Sequence, residues 1–404
     1  MIDLVKNYSS LVRRTKVSAI RELLKYKDMP GLISFAGGFP SSDLFPAEQL
    51  KEIANKLMTE KPEIMLQYTG TGGYMPLKEE IIKFMAHHGS NLEPENILIT
   101  TGGQQGIDLP SKIFVDPSDP VFVEIPSYVG ALNSLASTGA KFVGIPMDEN
   151  GIKTDILEEK IKYLNEIGEH YKLLYIVPDY QNPSGVSLSL DRREKLVELS
   201  DKYNFIILED CPYTHLRYDG EEKPSLFKLS NSGNILGLYS FSKILSPGLR
   251  LGWVCGNKDI IRKLEVLKQS VDVCCSTFIQ GIVAEYMKSN LLESHIGDVV
   301  KEYKTKKDLM LKMLSENMPK GVTWTTPSGG LFLWITLPEN IDSESMLKKA
   351  IEHKVTYVPG YAFHHNSEMR NCLRVNFSYP TLEQIEKGVK SLAEVIKKEI
   401  KNLK

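Results

Sequence analysis

The middle of the chain alternates short, almost wholly apolar runs with longer runs whose apolar residues recur at helical spacing. The short runs are NILITT (96–101), PVFVEIP (120–126), KFVGIPM (141–147), KLLYIVP (172–178), NFIILED (204–210), NILGLYS (234–240) and LRLGWVCG (249–256). They are rich in β-branched and aromatic residues and bounded by Gly, Pro, Asn or Asp, which predicts strands. Between many of them lie helix-like runs. SLDRREKLVELSDKY (189–203) predicts a helix with Ser189 or Asp191 as its N-cap. Strands apolar on both faces, alternating with helices, predict an α/β fold with a mostly parallel sheet covered on both sides. From about Lys288 the pattern changes. A long charged helical run extends to Asn317, followed by GGLFLWITLP, a helix, VTYVPG, CLRVNFS and a final basic helix. That order predicts a smaller α+β domain.

A chain of 404 residues is longer than one ordinary domain. Its 42% hydrophobic and 25% charged residues are ordinary globular usage, and a net charge of −2 gives no sign of nucleic acid or an anionic membrane as partner. No apolar run approaches the roughly twenty residues that span a bilayer. The N-terminal MIDLVKNYSSLVRRTKVSAIRELLKY lacks the apolar core of a secretory signal and reads as an amphipathic helix of the fold rather than a targeting segment. Five cysteines without a CxxC suggest neither a disulfide framework nor a zinc site, and a reducing cytoplasm suits them. The pairs His87–His88 and His364–His365 lack metal-ligand spacing and read as surface or loop residues, so no metal is expected.

In an open α/β sheet, ligands bind beyond the carboxyl ends of the strands. Polar clusters follow the apolar runs there. TGGQQG (101–106) places Gly102, Gly103 and Gln104 where a helix begins near Gln104, a turn that lets backbone amides face an anion such as phosphate. It is neither a Walker motif nor GxGxxG, and TGTGGY (69–74) also fails that spacing, which counts against a nicotinamide or flavin enzyme. In DYQNPSG (179–185), Asn182 offers a side-chain donor at the sheet edge. In EDCPY (209–213), Asp210 ends a very apolar run: it is a helix cap, an arginine partner, or an acid that holds a cationic ligand. LYSFSKILSPGLRLGW (238–253) sets Lys243 in a polar, bend-rich loop with Ser240, Ser242 and Arg250 around it. A lysine between core strands with few nearby acids favours a depressed pKa and a nucleophilic amine. Together these parts suit a ligand with a phosphate (helix start, serines, Arg250), a ring cation (Asp210), a ring oxygen (Asn182, Tyr213) and an aldehyde (Lys243). That combination is the pattern expected for pyridoxal 5′-phosphate.

The same stretches resemble the fold type I, class I/II aminotransferases, above all the branch with 2-aminoadipate, kynurenine and aromatic aminotransferases. SFAGGFPSSDLFP, LQYTGTGGYMPLKEEI, VEIPSYVGAL and CLRVNFS extend the resemblance, in order, over essentially the whole chain. It implies a fold type I transferase with an N-terminal segment (1–48) packing on the small domain and active site, a large cofactor-binding domain (49–288) and a small C-terminal domain (289–404). It also implies that Arg374 pairs with the substrate α-carboxylate, that Tyr128 stacks on the cofactor ring and that Gly38 lies near the carboxylate. Tyr68 would reach the cofactor phosphate of the other subunit of a homodimer, and Arg21 would touch substrate side chains. The implied reaction moves an amino group from an L-amino acid (2-aminoadipate, aromatic, branched-chain or kynurenine type) to a 2-oxo acid, 2-oxoglutarate in particular. A C–S lyase or decarboxylase can use the same site. A non-catalytic effector-sensing domain is disfavoured, because only about forty residues precede AGGFP, too few for a winged helix and linker.

Overall fold

The apolar runs pair edge to edge. A computed structural model describes residues 4–15, 23–26 and 29–402. In chain order its strands are β1 (Ile33–Ser34), β2 (Ile97–Thr100), β3 (Pro120–Ile125), β4 (Lys141–Asp148), β5 (Gly151–Ile152), β6 (Leu173–Ile176), β7 (Ile206–Asp210), β8 (Ile235–Ser240), β9 (Gly252–Cys255), β10 (Thr323–Trp324), β11 (Phe332–Thr336), β12 (Val355–Thr356), β13 (Val358–Pro359) and β14 (Cys372–Asn376). Eight form one sheet in the order β2-β9-β8-β7-β6-β3-β4-β5. Pairing is parallel from β4 through β3, β6 and β7 to β8, and antiparallel at β8–β9, β9–β2 and β4–β5.

Alternate residues of the central strands enter different cores. Val121, Val123, Tyr175, Leu208 and Leu238 join one apolar cluster, while Phe122, Leu174, Ile176, Ile207 and Ile235 join another. The sheet is therefore buried on both faces, which is why its strands read as unbroken apolar runs rather than alternating ones. Each such side chain contributes about 1.5–3 kcal/mol by leaving water.

Several runs outlast the strands they form. LRLGWVCG yields a strand only from Gly252, because Pro247–Leu249 is a 3-10 turn and Arg250 takes a left-handed conformation (φ 51°). Lys243 is not in an irregular loop: it sits on one helical turn, Phe241–Ile244, capped by Ser240, whose hydroxyl accepts from the Ser242 amide. The helix over 189–203 forms as Leu190–Tyr203 after Ser189.

Beyond the long helix Leu291–Asn317, a second sheet of order β10-β11-β14-β13 is antiparallel throughout. Leu373 and Val375 of β14 face the main core, so Arg374 between them points the other way, beside its cross-strand partner Trp334. β1 pairs in parallel with β12, which brings the chain before Ala36 against this half of the molecule. The N-terminal run does not make one amphipathic helix over its described part. It breaks into Leu4–Asn7 and Ser10–Arg14, with Ser9 capping the second, and Leu11 and Val12 remain exposed. No described helix is long and apolar enough to cross a membrane.

Candidate active site

The carboxyl ends of β7 and β8 and the turn after β2 open onto one cavity of about 230 Å³. Gly103, Gln104, Tyr128, Asn182, Asp210, Tyr213, Ser240, Ser242, Lys243, Arg250 and Gly38 all line it. Eleven of the positions singled out in the sequence thus meet in one place, from six separate stretches of chain.

One pole suits an anion. Gly102 precedes the helix Gly103–Phe114 with φ 73° and ψ 174°, a conformation essentially reserved for glycine. A Cβ there would also lie 2.6 Å from Arg250 Nη2. The guanidinium of Arg250 donates to Pro247 O (3.3 Å) and Thr101 O (3.4 Å), so its left-handed backbone folds the charge back over the glycine turn. The helix N-terminus, Ser240, Ser242 and Arg250 then surround the same end of the cavity.

Lys243 Nζ donates to Gly38 O at 2.7 Å, and no carboxylate pairs with it among the described residues. Burial lowers its pKa to about 8, helped by the charges of Arg374 and Arg250. Asp210 is neither a helix cap nor an arginine partner. Its Oδ2 accepts from Tyr175 Oη at 2.6 Å, and burial raises its pKa to about 7. Such an acid, short of a countercharge, is satisfied by a cation placed beside it.

Beside the lining residue Asn182, Arg374 is buried, with Nη1 donating to Asn182 Oδ1 (2.8 Å) and Nη2 to Ala36 O (2.6 Å). Its Nε has no partner. The guanidinium lies 4.1 Å from the centre of the Phe332 ring and 5.0 Å from that of Phe363. Burial lowers its pKa to about 10, which still leaves it charged near neutrality. Asn182 Nδ2 also reaches the Tyr213 hydroxyl at 3.4 Å. Tyr128 caps the helix Val129–Thr138 and its hydroxyl stands 3.5 Å from Gln104 Oε1.

Gly102 and Arg374 adjoin this lining without belonging to it. Tyr68 is 80% exposed and does not line this cavity, and Arg21 lies outside the described residues. His87 is exposed, whereas His88 is partly buried against Phe84 and His215, and His365 against Phe142, so the two pairs are less superficial than their sequence suggested. Among the described residues no group of three His, Cys, Asp or Glu can hold a metal ion. Sequence reasoning missed Tyr175, which reads as one more apolar strand residue, and Phe332, which reads as small-domain core. Only the fold shows that each touches a charged side chain.

The donor set can be tested against pyridoxal phosphate. An anion pole, a carboxylate lacking a countercharge and an amine of depressed pKa line one cavity, and a buried guanidinium with a free N–H is bonded to its lining residue Asn182; they match the phosphate, ring nitrogen and aldehyde of the cofactor and the carboxylate of an amino acid. The residues fit.

A family model described as aminotransferase class I and II matches residues 31–392. The chain belongs to that family. It is 42% identical to the aromatic-amino-acid aminotransferase 1 of Thermococcus litoralis, over 99% of this chain and 96% of the other. A kynurenine aminotransferase from Pyrococcus horikoshii, solved with PMP and with kynurenine as substrate, shares 42% identity and a TM-score of 0.95 over 98% of each chain. An alpha-aminoadipate aminotransferase from Thermus thermophilus, complexed with N-(5′-phosphopyridoxyl)-L-leucine, shares 34% identity and a TM-score of 0.92 over 99% of this chain and 100% of that one. The protein is a fold type I aminotransferase that uses pyridoxal phosphate to act on amino acids and 2-oxo acids. This aminotransferase has the α/β architecture with a mostly parallel central sheet that its apolar runs predict.

Proposed function

We propose that Lys243 holds the cofactor and shuttles the substrate proton, that Asp210 pairs with the ring nitrogen, and that Arg374 holds the α-carboxylate. The observation that carries this reading is the pair of unmatched cations: Lys243 and Arg374 line or border one cavity, and neither has an acid partner among the described residues. Burying a cation without an anion is costly unless a ligand brings the anion or uses the amine. Bound pyridoxal phosphate supplies an aldehyde that condenses with amines and a cationic ring that withdraws electrons. The helix start at Gly103, with Gly102, Gln104, Ser240, Ser242 and Arg250, binds the phosphate. Asn182 and Tyr213 would hold the ring oxygen and Tyr128 the ring, and the Gly38 carbonyl would accept from the Lys243 amine whenever that amine is free of the cofactor. Lys243 Nζ, with a neutral fraction favoured by its lowered pKa, takes the proton from the substrate Cα.

The amino donor is of the aromatic, 2-aminoadipate, kynurenine or branched-chain type and the acceptor is 2-oxoglutarate, a reading supported by the relatives' substrates. The working unit is a homodimer. Tyr68 stands exposed with Ile64, Leu66 and Met75, while Met65 is buried and Gln67 O accepts from Thr277 Oγ1, so the segment is anchored with Tyr68 facing outward. That arrangement supports Tyr68 entering the partner's cavity. The free cysteines support a reducing, cytoplasmic setting. The 1–48, 49–288 and 289–404 division places the eight-stranded sheet wholly in the middle part.

The test has two readouts. Borohydride reduction of the holoenzyme, followed by peptide mass analysis, is expected to fix the cofactor mass on Lys243; a label on another lysine would sink the assignment. A panel of L-amino acids with 2-oxoglutarate is then expected to give glutamate fastest with a donor from the types named above.

A further inference from the structure

A carboxyl group that takes no part in the scheme above lies beneath the cavity. Glu124, next to the last residue of β3, is 1% exposed, and no arginine or lysine pairs with it among the described residues. Its Oε2 accepts from the Val177 amide (3.0 Å), just past β6, and from Gln181 Nε2 (3.3 Å). The second Nε2 hydrogen goes to Pro126 O (2.7 Å). Gln181 Oε1 accepts from the Ser184 amide (2.8 Å), its own amide donates to Val186 O (2.8 Å), and its carbonyl accepts from the Gly185 amide (2.6 Å). Every polar group of Gln181 is therefore used, Oε1 and the backbone to close the turn that carries Asn182 and Nε2 to tie that turn to the end of β3, and Gln181 is wholly buried.

The direction of these bonds matters. Two acceptors, Glu124 and Pro126 O, face one end of the Gln181 amide, and one donor, the Ser184 N–H, faces the other. Only one orientation of the amide satisfies all three. That orientation sets the turn, and the turn sets Asn182, whose Oδ1 accepts from Arg374 and whose Nδ2 reaches Tyr213. We infer that Glu124 and Gln181 are positioning residues, a hydrogen-bonded pair that holds Asn182 and, through it, the guanidinium of Arg374 at the angle a substrate carboxylate requires. The inference rests on the proposed role of Arg374. Burial also raises the Glu124 pKa to about 8, helped by the charge of Asp210, which favours the protonated acid, and glutamine is the isostere of that form.

The experiment is a double-variant cycle on the holoenzyme, with L-phenylalanine as donor and 2-oxoglutarate as acceptor. Glu124→Leu is expected to raise KM for the amino acid by about tenfold with kcat little changed, because a misplaced Arg374 weakens carboxylate binding. Glu124→Gln, which keeps an acceptor for both donors, is expected to restore KM. In an Asn182→Ala background, Glu124→Leu is expected to add nothing further. Independent effects of the two changes, or equal KM values for Glu124→Leu and wild type, would overturn the inference. If Glu124→Leu does not fold, Gln181→Met runs the same cycle from the other side of the bond. Arg374→Ala is the control: should it leave KM unchanged, the assignment of Arg374 fails, whatever the coupling between Glu124 and Asn182.

Discussion

Replacing Arg374 by lysine separates charge from geometry. The guanidinium spends one N–H on Asn182 and one on Ala36 O, and it keeps Nε and the remaining Nη hydrogens for a ligand. Its central carbon also lies 4.1 Å from the centre of the Phe332 ring. An ammonium keeps the charge but has three donors at one point, so it cannot hold both protein acceptors and grip a carboxylate with two parallel bonds. Losing one charge-assisted bond costs about 1.5–3 kcal/mol, which at about 1.4 kcal/mol per tenfold lowers kcat/KM roughly 10- to 150-fold. The assay compares L-phenylalanine with 2-phenylethylamine, which has the same ring and no carboxylate. Arg374→Lys is expected to lose activity on the amino acid and to change little on the amine, so the preference between them shrinks by that factor. Since Arg374 has no acid partner to strand, the melting temperature should move by only a few degrees. A variant that keeps the wild-type preference between the two amines would refute the reasoning, because the carboxylate would then be held elsewhere.

Lys243→Ala is expected to abolish transamination and the borohydride-fixed adduct, read by absorbance and peptide mass; normal turnover by this variant would remove the lysine from the mechanism. Gly102→Ala forces a side chain into a glycine-only conformation and against Arg250, so the cofactor dissociation constant should rise about tenfold or more in a spectral titration. Asp210→Asn should change how stability of the cofactor-free protein depends on pH. The folded pKa of Asp210 is about 7 against an ordinary value of 3.8, so between those values the folded state binds more protons than the unfolded one and stability falls as pH rises. The variant should therefore melt higher than wild type at pH 7–8 and equally near pH 4; a constant difference across that range would show that the shift is absent.

Much of the site was legible because its chemistry sits at the ends of apolar runs. Asp210 and Ser240 each close a run, Gly102 follows one, and strands buried on both faces leave the first polar residue after them at the sheet edge. The lysine without an acid neighbour was legible for the same reason. Arg374 was not, since an arginine inside the apolar run of β14 carries no local mark of its purpose, and it was named only through the family resemblance.

What the sequence determined by itself was the layered α/β class, the strand positions to within a few residues, and the set of polar groups offered to a ligand. These depend on local periodicity and on residues whose backbone needs, such as glycine at φ 73°, are intrinsic. Tertiary structure alone decided which groups meet. The order of the eight strands, the 3-10 turn that returns Arg250 to Gly102, the bond from Tyr175 to Asp210 and the contact of Phe332 with Arg374 join residues distant along the chain. The protonation of the buried groups was decided there too. A pKa depends on desolvation and on charges brought near by folding, and neither is written in the residues that flank the group.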